Sequence, residues 1–511
     1  MKRLLLLLAF VVAIGTPLSA QQDAETMRQL QKLVRAYRYM ERYYVDTLRA
    51  ERAVDGALTG MLQTLDPHSA YLSREAMEEV EVEMEGEFSG IGIEYRINRD
   101  TITVMNTVVG GPAEQVGMLP GDRILGIDTL NAVGMKQSEV PKHLRGKRGT
   151  KVDLTVYRRG VSELLHFTLT RDKIPLNTVD AAYMASERVG YIKLGRFGRT
   201  TVSEFREAYD QLGRPRRLIL DLRGNGGGLL DQALGMAEFF LPKGSLLLTT
   251  EGRIEPEQRF YAREDGAMLT GRVAVLIDEV SASASEIVAG ALQDWDRATI
   301  IGRTSFGKGL VQRQIPLGDG SAMRITTSRY LTPSGRAIQR PYEVGKRQEY
   351  YLDHLRGYAD SITDATPRYR SLAKGRTIYG GGGIRPDLKV ESDTTHYTNY
   401  YAQLVRRGIL LQSVTDHLDQ NREQLKRDYP ALADFVGRYS PSEALVETLK
   451  REAEKQGLTY REEEFKRSEA LILTQLKALV AQRLYGVEGF YRVINPAYNE
   501  AYQTAMELLD K

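Results

Sequence analysis

Leu218-Ile219-Leu220-Asp221-Leu222-Arg223-Gly224-Asn225-Gly226-Gly227-Gly228 is a short apolar run that stops at a cluster of glycines. Its length and composition predict a strand buried on both faces. Beyond the glycines, Leu229, Leu230, Ala233, Leu234, Ala237 and Phe240 recur at helical spacing. The plan then repeats: Val273 to Ile277 reads as a strand, Ser281-Ala282-Ser283-Ala284-Ser285-Glu286 as a turn, and Ile287, Val288 and Leu292 as the buried side of a helix. Thr299 to Ile301 begins a third strand. Strands alternating with helices predict an α/β core whose chemistry gathers at the carboxyl ends of the strands. Both the glycine and the serine motifs stand at such ends.

A serine at a sharp strand-to-helix turn sits among outward-pointing amides, a good position for a nucleophile. Its hydroxyl needs a base, and a lysine serves when an apolar site lowers its pKa from about 10.4. Lys308, in Phe306-Gly307-Lys308-Gly309-Leu310-Val311-Gln312, is the candidate. Taken singly, the two stretches read as a capping turn and a solvated charge. Gly302-x-x-x-x-Gly307-Lys308 also spells most of a phosphate-binding loop, but Gly309 stands where that loop needs Ser or Thr. The next residues, Leu310 to Ile315, alternate like a strand instead of opening a helix. Asn225-Gly226-Gly227-Gly228 is a candidate oxyanion site, because glycines let backbone donors approach without a side chain in the way. Its plain reading is a strand-to-helix turn, and a dinucleotide loop lacks its third glycine at Leu229.

Five motifs in order resemble the carboxy-terminal processing, or tail-specific, proteases over roughly residues 60 to 390. They are Leu65-Asp66-Pro67-His68-Ser69-Ala70-Tyr71-Leu72, Gly90-Ile91-Gly92-Ile93, Leu220 to Gly228, and the serine and lysine stretches. The resemblance implies a serine endopeptidase with a serine-lysine dyad and no cofactor. By motif position Ser283 is the nucleophile, Lys308 the base and Gln312 the residue that holds the lysine amine. The amides of Gly228 and Ala284 are the implied oxyanion donors. Ser281 and Ser285 flank the motif, and His68 receives no catalytic role.

Residues 86–172 resemble a PDZ domain, a small peptide-binding β-barrel. Ile91, Ile93, Tyr95 and Ile97 alternate as a strand after the Ser89-Gly90-Ile91-Gly92 loop. Such a loop turns amides towards one point, where a chain-terminal carboxylate binds while the strand edge pairs with an extended tail. The resemblance makes Gly90, Ile91, Gly92 and Ile93 the tail-binding segment, with Val140 and Leu144 lining its side-chain pocket.

The expected fold is multidomain α/β. An N-terminal helical unit occupies 21–85, the PDZ β-barrel 86–172, a crotonase-like α/β protease core 173–392 and a C-terminal helical extension 393–511. Residues 1–20 read as a secretory signal peptide: Met1-Lys2-Arg3, an apolar run from Leu4 to Ile14, then small residues before a cut after Ala20. With no cysteine and six scattered histidines, neither disulfides nor a zinc site is expected. The 70 basic and 67 acidic residues nearly cancel, which argues against a nucleic-acid partner. No second stretch is long and apolar enough for a membrane span after signal cleavage. The reading is therefore a periplasmic or secreted endopeptidase acting on proteins with accessible C-terminal tails. Position alone suggests homo-oligomerisation or a partner-docking surface for 393–511. The alternative is a secreted PDZ scaffold whose protease core is inactive.

Overall fold

The computed structural model describes residues 17–98, 100–108, 110–355 and 363–511, so residues 1–16 of the expected signal peptide lie outside the described residues. The two strand-turn-helix units form the centre of a six-stranded sheet. Val189–Leu194, Arg217–Asp221, Arg272–Ile277, Thr299–Gly302 and Leu388–Lys389 run parallel, and Val179–Met184 closes one edge antiparallel. Every residue of Val189–Leu194 is buried, as a strand covered on both faces requires.

Successive residues of the central strand serve opposite faces, following the period of two. Leu218 and Leu220 join the helices Thr201–Gln211, Leu230–Glu238 and Ala284–Asp294 through Phe205, Ala233 and Ile287. Ile219 faces the other way, where the last helix, Glu500–Asp510, lays Ala501, Tyr502, Ala505 and Leu509 against the sheet. Burying each large apolar side chain contributes about 1.5–3 kcal/mol. Against a net stability of about 5–15 kcal/mol for a domain, this makes the end of the chain part of the core.

A second, antiparallel sheet carries the hairpin Leu310–Pro316 and Ala322–Leu331, flanked by Ala70–Leu72 and Leu246–Gly252. Ala70–Leu72 comes directly after the Leu65-Asp66-Pro67-His68-Ser69 turn. Ser69 is expected to cap the next helix, but its hydroxyl donates to Asp66 Oδ2 at 2.6 Å and its Oγ accepts from Thr326 N–H. Ser73 instead caps the helix Arg74–Glu85, because the strand intervenes.

The PDZ barrel comprises Ile93–Asn98, Thr101–Thr107, Arg123–Ile127, Lys151–Tyr157 and Leu165–Thr170 in sheet order. Its incoming and outgoing segments, Glu87–Gly90 and Asp172–Pro175, pair as a two-stranded stalk. Helices Pro17–Tyr43 and Ala50–Leu62 precede it. Five helices between Asn399 and Tyr485 have an apolar core of their own around Leu404, Phe435, Leu449 and Leu476. Among the described residues no helix is long and apolar enough to cross a membrane.

Candidate active site

Ser283 ends the turn after Arg272–Ile277 with φ 55° and ψ −112°, a conformation rare for a residue with a side chain. Its neighbours are tied down. The buried Ser281 hydroxyl donates to the Leu222 carbonyl and the buried Ser285 hydroxyl to that of Asn225, each at 2.9 Å. Both flanking serines thus staple the turn to the glycine strand end. Ser283 is half-buried and lines a cleft of about 680 Å³.

Glu286, on the first turn of the serine helix, is fully buried. Its Oε2 accepts from the Ser283 N–H at 2.8 Å and the Lys308 N–H at 2.9 Å. Its Oε1 accepts from the Ser305 hydroxyl at 2.5 Å and the Gly307 N–H at 2.6 Å. Burial pushes its carboxyl pKa up, against the pull of those four donors. The Ser-x-x-Glu spacing is a capping-box signal readable in the sequence; its reach across to the lysine loop is not. Gly307 has φ 86°, and a Cβ there would meet the Arg340 Cβ at 2.9 Å, so the loop can press this close only with glycine. Tyr330, also unforeseen, places its buried hydroxyl 2.6 Å from the Lys308 carbonyl and 3.3 Å from that of Ser283.

Lys308 lines the same cleft as Ser283. Burial, then the Arg324 charge, push its pKa down to about 8, against Glu286 and Asp66. No hydrogen bond joins its amine to Ser283 Oγ or to Gln312. Behind Lys308 lies a second cavity of about 370 Å³ walled by His68, Phe306 and Tyr351. Burial, then the Lys308 charge, push the His68 ring down to about 4, so it is neutral near pH 7. Its ring nitrogens lie 3.3 Å from the Tyr350 hydroxyl and 3.5 Å from that of Tyr351.

The glycine strand end closes the opposite side. Phe197 N–H donates to Gly227 O at 3.0 Å and Leu229 N–H to Phe197 O at 2.9 Å, and Gly228 between them lines the cleft. Gly228 has φ 146°, and a Cβ there would overlap Phe197 O at 2.0 Å. The N–H groups of Gly228 and Ala284 donate to no protein group among the described residues, and both residues line the cleft. The preceding Arg223 donates to Asp221 Oδ1 and Oδ2 at 2.9 and 2.5 Å and to Asn499 Oδ1 at 2.5 Å, so the C-terminal helices anchor the oxyanion candidate.

Gln312 comes just after a bulge in its strand and lines the cleft, its Nε2 buried without a partner among the described residues. Gln314, Arg324 and the helix residues Val80, Glu83 and Met84 line it too, and the sequence motifs singled out none of them. The PDZ candidates gather elsewhere. Gly90 ends the stalk strand, Ile93 begins the next, and the N–H groups of Ile91 and Gly92 between them have no partner among the described residues. Val140 and Leu144 are buried, packing with Ile91 in the PDZ core. Among the described residues no group of His, Cys, Asp and Glu could hold a metal ion.

The sequence models of known families divide the chain along these lines. Peptidase family S41 matches residues 188–345, a PDZ domain 89–169, the N-terminal domain of the activating protease CtpB 14–76, and a family of unknown function 400–486. The carboxy-terminal-processing protease of Bartonella bacilliformis is 37% identical, covering 65% of this chain and 77% of that protein. The carboxy-terminal processing protease CtpB of Bacillus subtilis is 33% identical, covering 77% of this chain and 78% of that protein. Among solved structures, the photosystem II D1 C-terminal processing protease is 25% identical with a TM-score of 0.36, covering 70% of this chain and 92% of that one. Identity sustained over more than three quarters of those two relatives means that this chain belongs to the carboxy-terminal processing serine proteases of peptidase family S41.

Proposed function

We propose that this protease cuts peptide bonds with a Ser283-Lys308 dyad after export from the cytoplasm. The observation that carries the reading is a half-buried lysine with its pKa lowered to about 8, in one cleft with the serine and two unpartnered amides. Ser283 Oγ attacks the scissile carbonyl carbon while neutral Lys308 takes its proton. The Gly228 and Ala284 N–H groups hold the developing oxyanion; losing one such donor typically costs about 3–4 kcal/mol of transition-state stabilisation. The lysine ammonium protonates the leaving nitrogen, the C–N bond breaks and an acyl-serine remains. Water then attacks the ester as Lys308 takes its proton. Collapse releases the product as its carboxylic acid, which gives its remaining proton to solvent, and Lys308 returns its proton to Ser283 Oγ. Gln312 orients the amine once the side chains close together; catalytic hydrogen bonds are commonly long before substrate binds.

The Gly90-Ile91-Gly92-Ile93 segment binds the substrate tail, with unpartnered Ile91 and Gly92 amides for its carboxylate. Helix Arg74–Glu85 supports a role for the PDZ domain in control. It lines the cleft through Val80, Glu83 and Met84 and runs through Gly86 directly into the PDZ stalk, so displacing the stalk shifts a cleft wall. Deleting residues 90–170 should therefore change cleavage of tailed substrates; an unchanged rate overturns both recruitment and gating.

Export rests on the basic, apolar and small-residue pattern of residues 1–20. Ser283→Ala and Lys308→Ala, each incubated with an unstructured protein bearing an apolar tail, should both fail to cut it. Undiminished cleavage by either rejects the dyad. The lack of a hydrogen bond between Ser283 Oγ and Lys308 Nζ favours a second reading, a secreted PDZ scaffold with an inactive core. Binding of a labelled tail peptide without turnover selects that reading.

A further inference from the structure

The hairpin Leu310–Pro316 and Ala322–Leu331 lines the cleft, and its register sets Gln314 directly opposite Arg324. Residues opposed on a ladder project from the same face with Cβ atoms about 4.5–5.5 Å apart. Gln312 shares that face two residues away, following the strand period. Gln312 Nε2, Gln314 Nε2 and Arg324 Nε are all buried without a hydrogen-bond partner among the described residues. Buried donors are normally satisfied, and a row of three in a substrate cleft points to an occupant that brings acceptors.

The charge balance narrows the choice. The charged residues lining the cleft are Glu83, Arg196, Lys308 and Arg324, so three basic groups face one acid. Arg196 donates from Nη2 to the carbonyls of Leu176 and Asn177, while its Nε is buried without a partner among the described residues. Arg324 makes no ion pair or side-chain hydrogen bond among the described residues. Neutral carbonyls would satisfy the two glutamines, but they leave the Arg324 charge without a counter-ion among the described residues. A carboxylate satisfies its hydrogen-bonding and its charge together, in the forked geometry that guanidinium prefers.

We propose that Arg324 and Gln314 form a carboxylate subsite of the cleft, which takes an acidic group of the peptide being cut. That group is either an Asp or Glu side chain near the scissile bond or the α-carboxylate of the product just released. The subsite makes Arg324 a specificity-determining residue, and it rests on the reading that this cleft is where peptides are cleaved.

The test uses the full-length protein and quenched fluorescent peptides that differ only by Glu or Gln at single positions on either side of the cut. Product peptides ending in a free acid or an amide serve as competitive inhibitors. For wild type the expected result is at least a fivefold lower KM for Glu over Gln at one position, or a fivefold stronger inhibition by acid over amide. The first assigns the subsite to a side chain, the second to the product terminus. In Arg324→Gln the ratio falls to about one, and Arg324→Lys keeps part of it. Gln314→Leu lowers it without abolishing it. Each ratio is measured within one preparation, so partial misfolding affects both peptides equally. Ratios near one in wild type, or a ratio that survives Arg324→Gln, overturn the subsite. Turnover retained by Ser283→Ala overturns the dyad instead, and the two failures are separate.

Discussion

Ser283 and Lys308 hang on one oxygen atom: Oε2 of Glu286 accepts the backbone N–H of Ser283 at 2.8 Å and that of Lys308 at 2.9 Å. The other oxygen holds Ser305 and Gly307, so one carboxylate sets the spacing between the serine turn and the lysine loop. Glu286→Gln keeps the size but turns one acceptor oxygen into a donor facing two donors. Each lost buried hydrogen bond costs about 1–3 kcal/mol. We expect kcat to fall about tenfold or more, and the urea midpoint to fall with it. Peptide hydrolysis and urea titration check both, and unchanged kcat would show that the spacing is set elsewhere.

The pH profile is set by the lysine. The groups acting on Lys308 are Arg324, which lowers its pKa, and Glu286 and Asp66, which raise it; His68 beside it is neutral near pH 7. Only the neutral amine accepts the Ser283 proton, so kcat/KM should rise with pH through about 8 and then level. Removing the Arg324 charge raises the lysine pKa, so in Arg324→Gln the rise should move to higher pH. A profile that falls across pH 7 to 9 is inconsistent with lysine as the base.

Lys308 also carries a stability cost. Its pKa falls from 10.5 to about 8 on folding, so below pH 8 the ammonium is charged in both states and its desolvation cost is fully present. As pH rises from 8 to 10.5 the unfolded chain holds the proton longer, and the cost vanishes. The shift corresponds to at most about 3 kcal/mol. Lys308→Met should therefore be inactive yet more stable in urea at pH 7, with its advantage gone near pH 10.5. Lower stability at pH 7 would contradict the depressed pKa.

His68 predicts acid sensitivity. Its pKa falls from 6.5 to about 4 on folding, so its neutral form contributes fully above pH 6.5 and that contribution is lost between 6.5 and 4. Between pH 7.5 and 5 the wild type should lose about 2 kcal/mol more than His68→Gln. Denaturation curves for both proteins at the two pH values measure the difference. Equal losses would mean that the ring is already accessible to protons.

The strands and helices around the site were legible because both signals are local. Leu218 to Leu222 and Val273 to Ile277 appear as strands at Arg217–Asp221 and Arg272–Ile277, and the serine turn opens a helix at Ala284. Gln314 and Arg324 were not legible, since ten residues and a hairpin register separate them before the ladder sets them opposite. The same holds for Asn499, whose hold on Arg223 spans 276 residues. Val140 and Leu144 pack with Ile91 in the PDZ core, a neighbourhood that the fold sets from segments about fifty residues apart.

Motif order and hydrophobic period are properties of neighbours along the chain, and they were enough for the family, the α/β alternation and the residue types at the strand ends. Three features needed the folded chain: Glu286 joins the serine and lysine loops, the last helix closes the second face of the sheet, and Arg324 stands in the cleft with no side-chain partner among the described residues. Burial, charge balance and cross-strand register come from what the fold brings together from distant parts of the chain, and those are what lower the pKa of Lys308.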